Sequence, residues 1–241
     1  MSVLVLLYHA TPVDAETQFD VPITRFKEQI DRLIDGGASF IPFSRISDPD
    51  LLSGKRHVAI TFDDGHCSNA AAVEYLATRG IRPTLFIVRQ WSETGIGEAQ
   101  RRGFLRPADL RELSAVSSLG AHGLKHEGFS RLVGARLDLE LSACRDFLSE
   151  TMSAEASELA LPGGDGNVPA VLSQCRSSGF TTIGSSIVDI NTKLATSYAR
   201  PVIMCRHHAS YPARMAVRPN TIWSMLRTAR RTKQKIRKWQ L

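Results

Sequence analysis

A chain of 241 residues, 43% of them hydrophobic and 22% charged, can bury a substantial core, which excludes a disordered or fibrous protein. Its net charge of +6 is unevenly placed: residues 192–241 hold 12 Lys/Arg and no Asp/Glu, whereas the other 191 hold 18 Lys/Arg against 24 Asp/Glu. The acidic body argues against an extended nucleic-acid surface, and four distant cysteines without a CxxC spacing argue against a disulfide framework or a structural zinc site.

The opening "MSVLVLLYHA" has no basic residues ahead of its apolar run, which is too short for a signal-peptide core or a membrane span. It reads as a buried strand over Val3–Leu7 and as a mark of a cytoplasmic protein. Further strands are predicted at His57–Phe62, Thr84–Val88, Gly120–His122, Glu158–Leu161, Thr181–Gly184 and Val202–Cys205. Between them lie helical patterns at Thr24–Asp35, Asn69–Thr78 and Arg136–Thr151, with Gly36-Gly37, Gly80 and Gly179 as stops. Alternating strands and helices predict parallel strands, in an α/β barrel or an open sheet. The expected organisation is one domain over residues 1–215 and a basic tail over 216–241.

In such folds the reactive groups sit at the carboxyl ends of the strands. Asp63 and Asp64 in "TFDDGH" follow one strand, His122 and His126 another, and His9 closes the first. Two adjacent carboxylates repel unless a positive charge compensates them. His122 and His126, with one aspartate, form a ligand set for a divalent cation that leaves positions open for water and substrate. The other aspartate is then placed to act as general base. Cys67, beside this cluster, is expected to be a small buried side chain.

Two segments carry a family resemblance. "TFDDGHCSNAAAVEYLATRGIRPTLFIV" (61–88) resembles the opening block of the polysaccharide deacetylases with a NodB homology domain, and "GAHGLKHEGFSRL" (120–132) resembles their histidine block. Lesser similarities extend over residues 1–205. The resemblance implies a distorted (β/α) barrel and metal-dependent removal of acetyl groups, most often from N-acetylated sugars. By position it implies that Asp63 is the general base and that Asp64, His122 and His126 hold the metal: zinc, with nickel or cobalt as alternatives. "LLYHAT" resembles the poly-N-acetylglucosamine deacetylase subgroup, in which an early Tyr-His supplies the proton donor, here His9.

Three features depart from the family. Gly123 stands where Ser or Thr is usual, and "LALPGGDGN" (159–167) has Pro162 but no arginine. Arg200 is the candidate to replace that arginine in orienting the base. A late Leu-x-His block is not evident, although His207 and His208 are present. A backbone N–H near Gly163-Gly164 is a candidate oxyanion donor, against the plainer reading of a loop in which Asn167 caps the next helix and Asp165 makes a turn. Asp189 and Asn191 are candidates for sugar contacts, against a polar loop. Trp91 is a candidate stacking platform, against packing at a loop start.

The tail "NTIWSMLRTARRTKQKIRKWQL" reads as a basic amphipathic helix suited to an anionic membrane surface, or as a helix packed on the barrel with a soluble basic end. Nucleic acid is the least favoured partner, and no motif specifies an oligomeric state. The expected substrate is an N-acetylated sugar, nucleotide- or lipid-linked, used in surface-glycan assembly. The alternatives are an amidase acting on a small non-sugar amide and a catalytically degenerate glycan-binding barrel.

Overall fold

The computed structural model describes residues 2–46, 56–96, 103–166, 168–186, 202–205 and 207–208. Its first strand, β1 (Ser2–Tyr8), is a continuous apolar run because both of its faces are covered. Val3 and Val5 join Ala59, Phe86 and Ala160 in one apolar cluster. Leu4 and Tyr8 join Phe26 and Ile30, from helix α1 (Ile23–Asp35), in another. The sheet therefore has an inner face, closed at one end by Phe43 packed edge-on against Phe86 at 5.4 Å, and an outer face covered by helices.

Among the described residues nine strands form one sheet, all paired in parallel. After β1 come β2 (Ser39–Phe40), β3 (Arg56–Phe62), β4 (Thr84–Ile87), β5 (Ser118–Ala121), β6 (Glu158–Ala160), β7 (Thr182–Ser185), β8 (Val202–Cys205) and β9 (His207–His208). Their order is β8-β7-β6-β5-β4-β3-β1-β9, with β2 beside β3. One residue separates β8 from β9, so a single stretch pairs with β7 at one edge and with β1 at the other. The sheet curls on itself into a distorted (β/α) barrel. Helices α2 (Asn69–Ala77), α5 (Ala135–Met152) and α6 (Pro169–Ser177) lie in the connections, with two short helices, α3 (Arg89–Thr94) and α4 (Pro107–Leu113). Among the described residues no helix is long and apolar enough to cross a membrane.

The strands and the three helical patterns read from the sequence are present within a residue or two. The predicted strand ending at His122 ends at Ala121, which leaves His122 on the loop beyond. The two-residue strands and α3 and α4 have no sequence signal, being too short for a period to register, and α6 is marked only by its stop at Gly179. The tail 216–241 lies outside the described residues.

Strand register aligns the reactive ends. Tyr8 pairs with Phe62, Ile87 with Ala121, and Ala121 with Leu159. Residues 9, 63 and 122 therefore leave the sheet at the same rim.

At the opposite rim Glu158, 5% exposed, begins β6. Burial pushes its carboxyl from 4.5 up to about 7, against the opposing influence of Thr84, Ser44 and Arg82. An acid with a raised folded-state pKa binds its proton more tightly in the fold, so its contribution falls as pH rises from the unfolded value through the folded one. At about 1.4 kcal/mol per pH unit, that is roughly 3 kcal/mol lost between pH 4.5 and pH 8. Glu158→Gln is expected to be more stable than wild type at pH 8, with the advantage shrinking toward pH 4.5. Denaturant unfolding at both pH values checks this, and an advantage that grew on acidification would contradict it.

Candidate functional site

The turn after β3 is built by its own residues. The Asp63 N–H donates to the Tyr8 carbonyl at 2.8 Å, carrying the β1–β3 ladder one residue past the strand and holding the Asp63 side chain inside the rim, 3% exposed. Asp64 and Gly65 then both adopt left-handed backbone, with φ of 73° and 76°. Aspartate tolerates this region better than most residues. At Gly65 the left-handed backbone favours glycine, and a Cβ there would also press on the movable Ile87 Cδ1 at 2.8 Å. The reversal turns the Asp64 carboxylate back toward the histidines.

His122 is fixed twice. Its N–H donates to the Ile87 carbonyl at 2.9 Å, and its ring Nδ1 lies 2.9 Å from the Ala160 carbonyl. A carbonyl only accepts, so Nδ1 carries the hydrogen, and in the neutral ring Nε2 keeps its lone pair. That Nε2 lies 3.4 Å from Asp64 Oδ1 and 3.8 Å from Asp63 Oδ2. His126 Nε2 is also 3.4 Å from Asp64 Oδ1, and its ring packs against Trp91 with centroids 5.0 Å apart.

Charge follows from this crowding. Burial alone would lower the pKa of His122, but Asp63, Asp64 and the Ala160 carbonyl raise it above its ordinary value. Burial and the neighbouring His122 take His126 down to about 4, so it is neutral near pH 7. Burial opposes ionisation of Asp64, yet the close approach of the His122 ring, with His9 and His126 near by, holds it well below the usual carboxylate range.

The donor set fits a divalent cation. One donor atom from each of Asp64, His122 and His126 lies within 4.8 Å of the others. Bonds of about 2.0–2.1 Å at tetrahedral angles place neighbouring donors about 3.3 Å apart, close to the two separations of 3.4 Å found here. Asp64 Oδ1 is buried with no hydrogen-bond donor, an acceptor whose natural partner is a cation.

A cleft of about 430 Å3 opens beside these groups, lined in part by His9, Glu16, Phe19, Asp64, His66 and Phe104. One wall is the loop between β1 and α1, where the Asp20 carboxylate accepts the N–H groups of Glu16 and Thr17, each at 2.9 Å. The loop returns to the rim through the Val21 N–H to the Ala10 carbonyl, and it carries Phe19 to 5.5 Å from the His9 ring. His66 Nδ1 accepts the Ser68 N–H at 3.1 Å, which leaves Nε2 as the hydrogen-bearing nitrogen of its neutral ring. Phe19 and Phe104 carry no signal in the sequence; His66 has one, its place directly after "DDG", but no role follows from it.

The structure thus brings Asp63, Asp64, His122 and His126 together, with His9 on the same cleft as Asp64. Other candidates it places elsewhere. Of the Gly163-Gly164 pair, the Gly164 N–H is engaged with the Leu161 carbonyl at 2.8 Å and is not available as an oxyanion donor. Asp165 accepts the Ser130 hydroxyl at 2.6 Å, a contact that ties two loops together. The residue before helix α6 is Val168, which makes no side-chain cap hydrogen bond, and Asn167 lies outside the described residues. Trp91 lies within α3, not at a loop start, and is packed against Phe104 as well as His126. Cys67 is exposed, because the turn into α2 carries it to the surface. Arg200, Asp189 and Asn191 lie outside the described residues, and of His207 and His208 only the strand is described.

Fold and site together define a parallel-stranded barrel with a three-residue metal-type site opening on a cleft. The sequence profile of the polysaccharide deacetylase family matches residues 52–183, more than half of the chain, and the chain belongs to that family. Membership places it among carbohydrate deacetylases. No curated protein sequence matches it. Among solved structures it is similar to the Streptococcus pyogenes deacetylase PplD in complex with acetate, with 19% identity and a TM-score of 0.72 over 86% of this chain and 92% of that one. It is also similar to IcaB from Ammonifex degensii, with 21% identity and a TM-score of 0.72 over 85% and 90%. A de-N-acetylase from Aggregatibacter actinomycetemcomitans aligns at 16% identity and a TM-score of 0.70 over 86% and 94%. At these identities the likeness is one of fold.

Proposed function

We propose that the chain removes the N-acetyl group from an amino sugar, using a divalent cation held by Asp64, His122 and His126, with zinc the first choice and nickel or cobalt alternatives. The observation that carries this reading is the meeting of two carboxylates and two imidazoles at one rim, with Asp64 lining the adjoining cleft. A cation held there supplies Lewis acidity toward water and toward an amide carbonyl. Asp63, inside the rim, takes the proton of the attacking water as general base. The water oxygen bonds to the amide carbon, the C–N bond breaks, and acetate and a free amine leave. His9 gives the departing nitrogen its proton. Arg200 is the proposed partner that orients Asp63. Phe19, exposed on the wall of the cleft, offers an apolar surface to a sugar.

We extend the reading to a precursor unit, nucleotide- or lipid-linked, in surface-glycan assembly. The volume of the cleft, about 430 Å3, lies in the lower part of the range for small-ligand sites. A basic tail over 216–241 suits the anionic surface at which a lipid-linked sugar resides. Acetate release is expected from an N-acetylated sugar on a nucleotide carrier, or on a lipid carrier in anionic vesicles, and is expected to stop when the cation is chelated. Release confined to long polymer would overturn the precursor reading. Release confined to a simple non-sugar amide would make the chain an amidase, and none at all from a cation-loaded protein would leave a glycan-binding barrel.

A further inference from the structure

The loop between the two histidines, Gly123-Leu124-Lys125, lacks the hydroxyl side chain its family position usually carries, yet its backbone is held on two sides. From one side the N–H groups at the start of α3 reach its carbonyls: Arg89 to Gly123 at 3.1 Å and Gln90 to Leu124 at 3.0 Å. From the other, a single oxygen of α5, Glu140 Oε2, accepts the N–H of Leu124 at 2.6 Å and that of Lys125 at 3.1 Å. Glu140 is 5% exposed and sits on the buried stripe of α5, between Leu137 and Leu141. A charged residue is rarely placed on such a stripe unless it satisfies groups there.

Gly123 and Glu140 are matched. Gly123 has φ of +85°, and a Cβ on it would lie 2.9 Å from Glu140 Oε2. The carboxylate thus occupies the space beside residue 123 and supplies the loop with an acceptor from a neighbouring helix. His126 follows directly, itself left-handed at φ of 62°. The two amides held by Glu140 thus belong to the residues directly before His126.

We propose that Glu140 is a positioning residue for the metal site: by gripping the Leu124 and Lys125 amides it holds His126 Nε2 in reach of Asp64 Oδ1. This rests on the reading of Asp64, His122 and His126 as the cation ligands. Glu140 touches neither cation nor substrate, so its effect is read in cation affinity.

The test is competition for Zn2+ or Co2+ between the full chain and a chromogenic chelator, with thermal unfolding of the metal-free protein measured alongside. Glu140→Ala is expected to weaken affinity by roughly 10- to 100-fold, the range for lost outer partners of metal ligands. Glu140→Gln, which keeps an acceptor oxygen on the same stem, is expected to restore most of it. Leu148→Ala, a buried α5 change away from the loop, is expected to lower the unfolding temperature and leave affinity unchanged. Should Glu140→Ala not fold, Glu140→Met keeps the stem without a strong acceptor and is expected to show the same weakening. Unchanged affinity in the Ala or Met variant overturns the proposal alone, as does a loss that Gln fails to rescue or that Leu148→Ala reproduces. A wild-type chain that binds no cation overturns the ligand reading as well.

Discussion

Asp63→Asn is expected to lower kcat for acetate release by roughly 10²- to 10⁴-fold, the usual contribution of a general base, while the protein keeps its bound cation. Asparagine preserves the shape of the buried side chain but cannot take up a proton at neutral pH. Asp64→Asn is expected to do the reverse first and release the cation, because Asp64 Oδ1 lies 3.4 Å from both imidazole Nε2 atoms, whereas Asp63 Oδ2 lies 3.8 Å from His122 Nε2. Metal content and steady-state rate measured on the same preparations separate the two roles. Equal loss of cation in both variants would show that the carboxylates share the ligand task.

His122→Ala is expected to empty the site, with a loss of affinity well beyond the ~100-fold that removal of an outer partner costs, and with acetate release falling to background. The buried ring supplies a donor atom and also satisfies the Ala160 carbonyl at 2.9 Å. The variant should therefore also lose roughly 1–3 kcal/mol of stability in the metal-free state. Acid should produce the same loss of affinity reversibly. The carboxylates raise the pKa of His122, and a cation can bind only after that proton leaves, so affinity falls as pH drops below the raised value. Metal analysis after dialysis at several pH values checks both statements. A wild-type cation content in His122→Ala would remove this residue from the ligand set.

The elements legible in the sequence were those long enough for a pattern of burial to register. The run Val3–Leu7 reads as a strand buried on both faces, and Phe26, Ile30 and Leu33 read as one face of a helix, since periodicity records burial directly. Helices α3 and α4 gave no such signal, being of six and seven residues. Asp63, Asp64, His122 and His126 stood out because ionisable residues directly after apolar strands are uncommon, and a resemblance assigned them separate tasks. Glu140 left a weaker trace, one acid on an otherwise apolar stripe, which periodicity alone would class as an imperfection.

The sequence by itself determined the parallel alternation of strands and helices, the residue types gathered after the strand ends and the polarity of a basic tail set against an acidic body. These depend on local spacing and composition. Only the tertiary structure decided which groups face one another. The β1–β3 register puts His9 and Asp63 at one rim, and the left-handed turn at Asp64 and Gly65 directs a carboxylate toward both imidazoles. Glu140, 14 residues after His126 and on another element, reaches the loop between the histidines because α5 packs beside β5. Such contacts arise from register, backbone reversal and packing between elements far apart in the chain, and no local pattern of side chains encodes them.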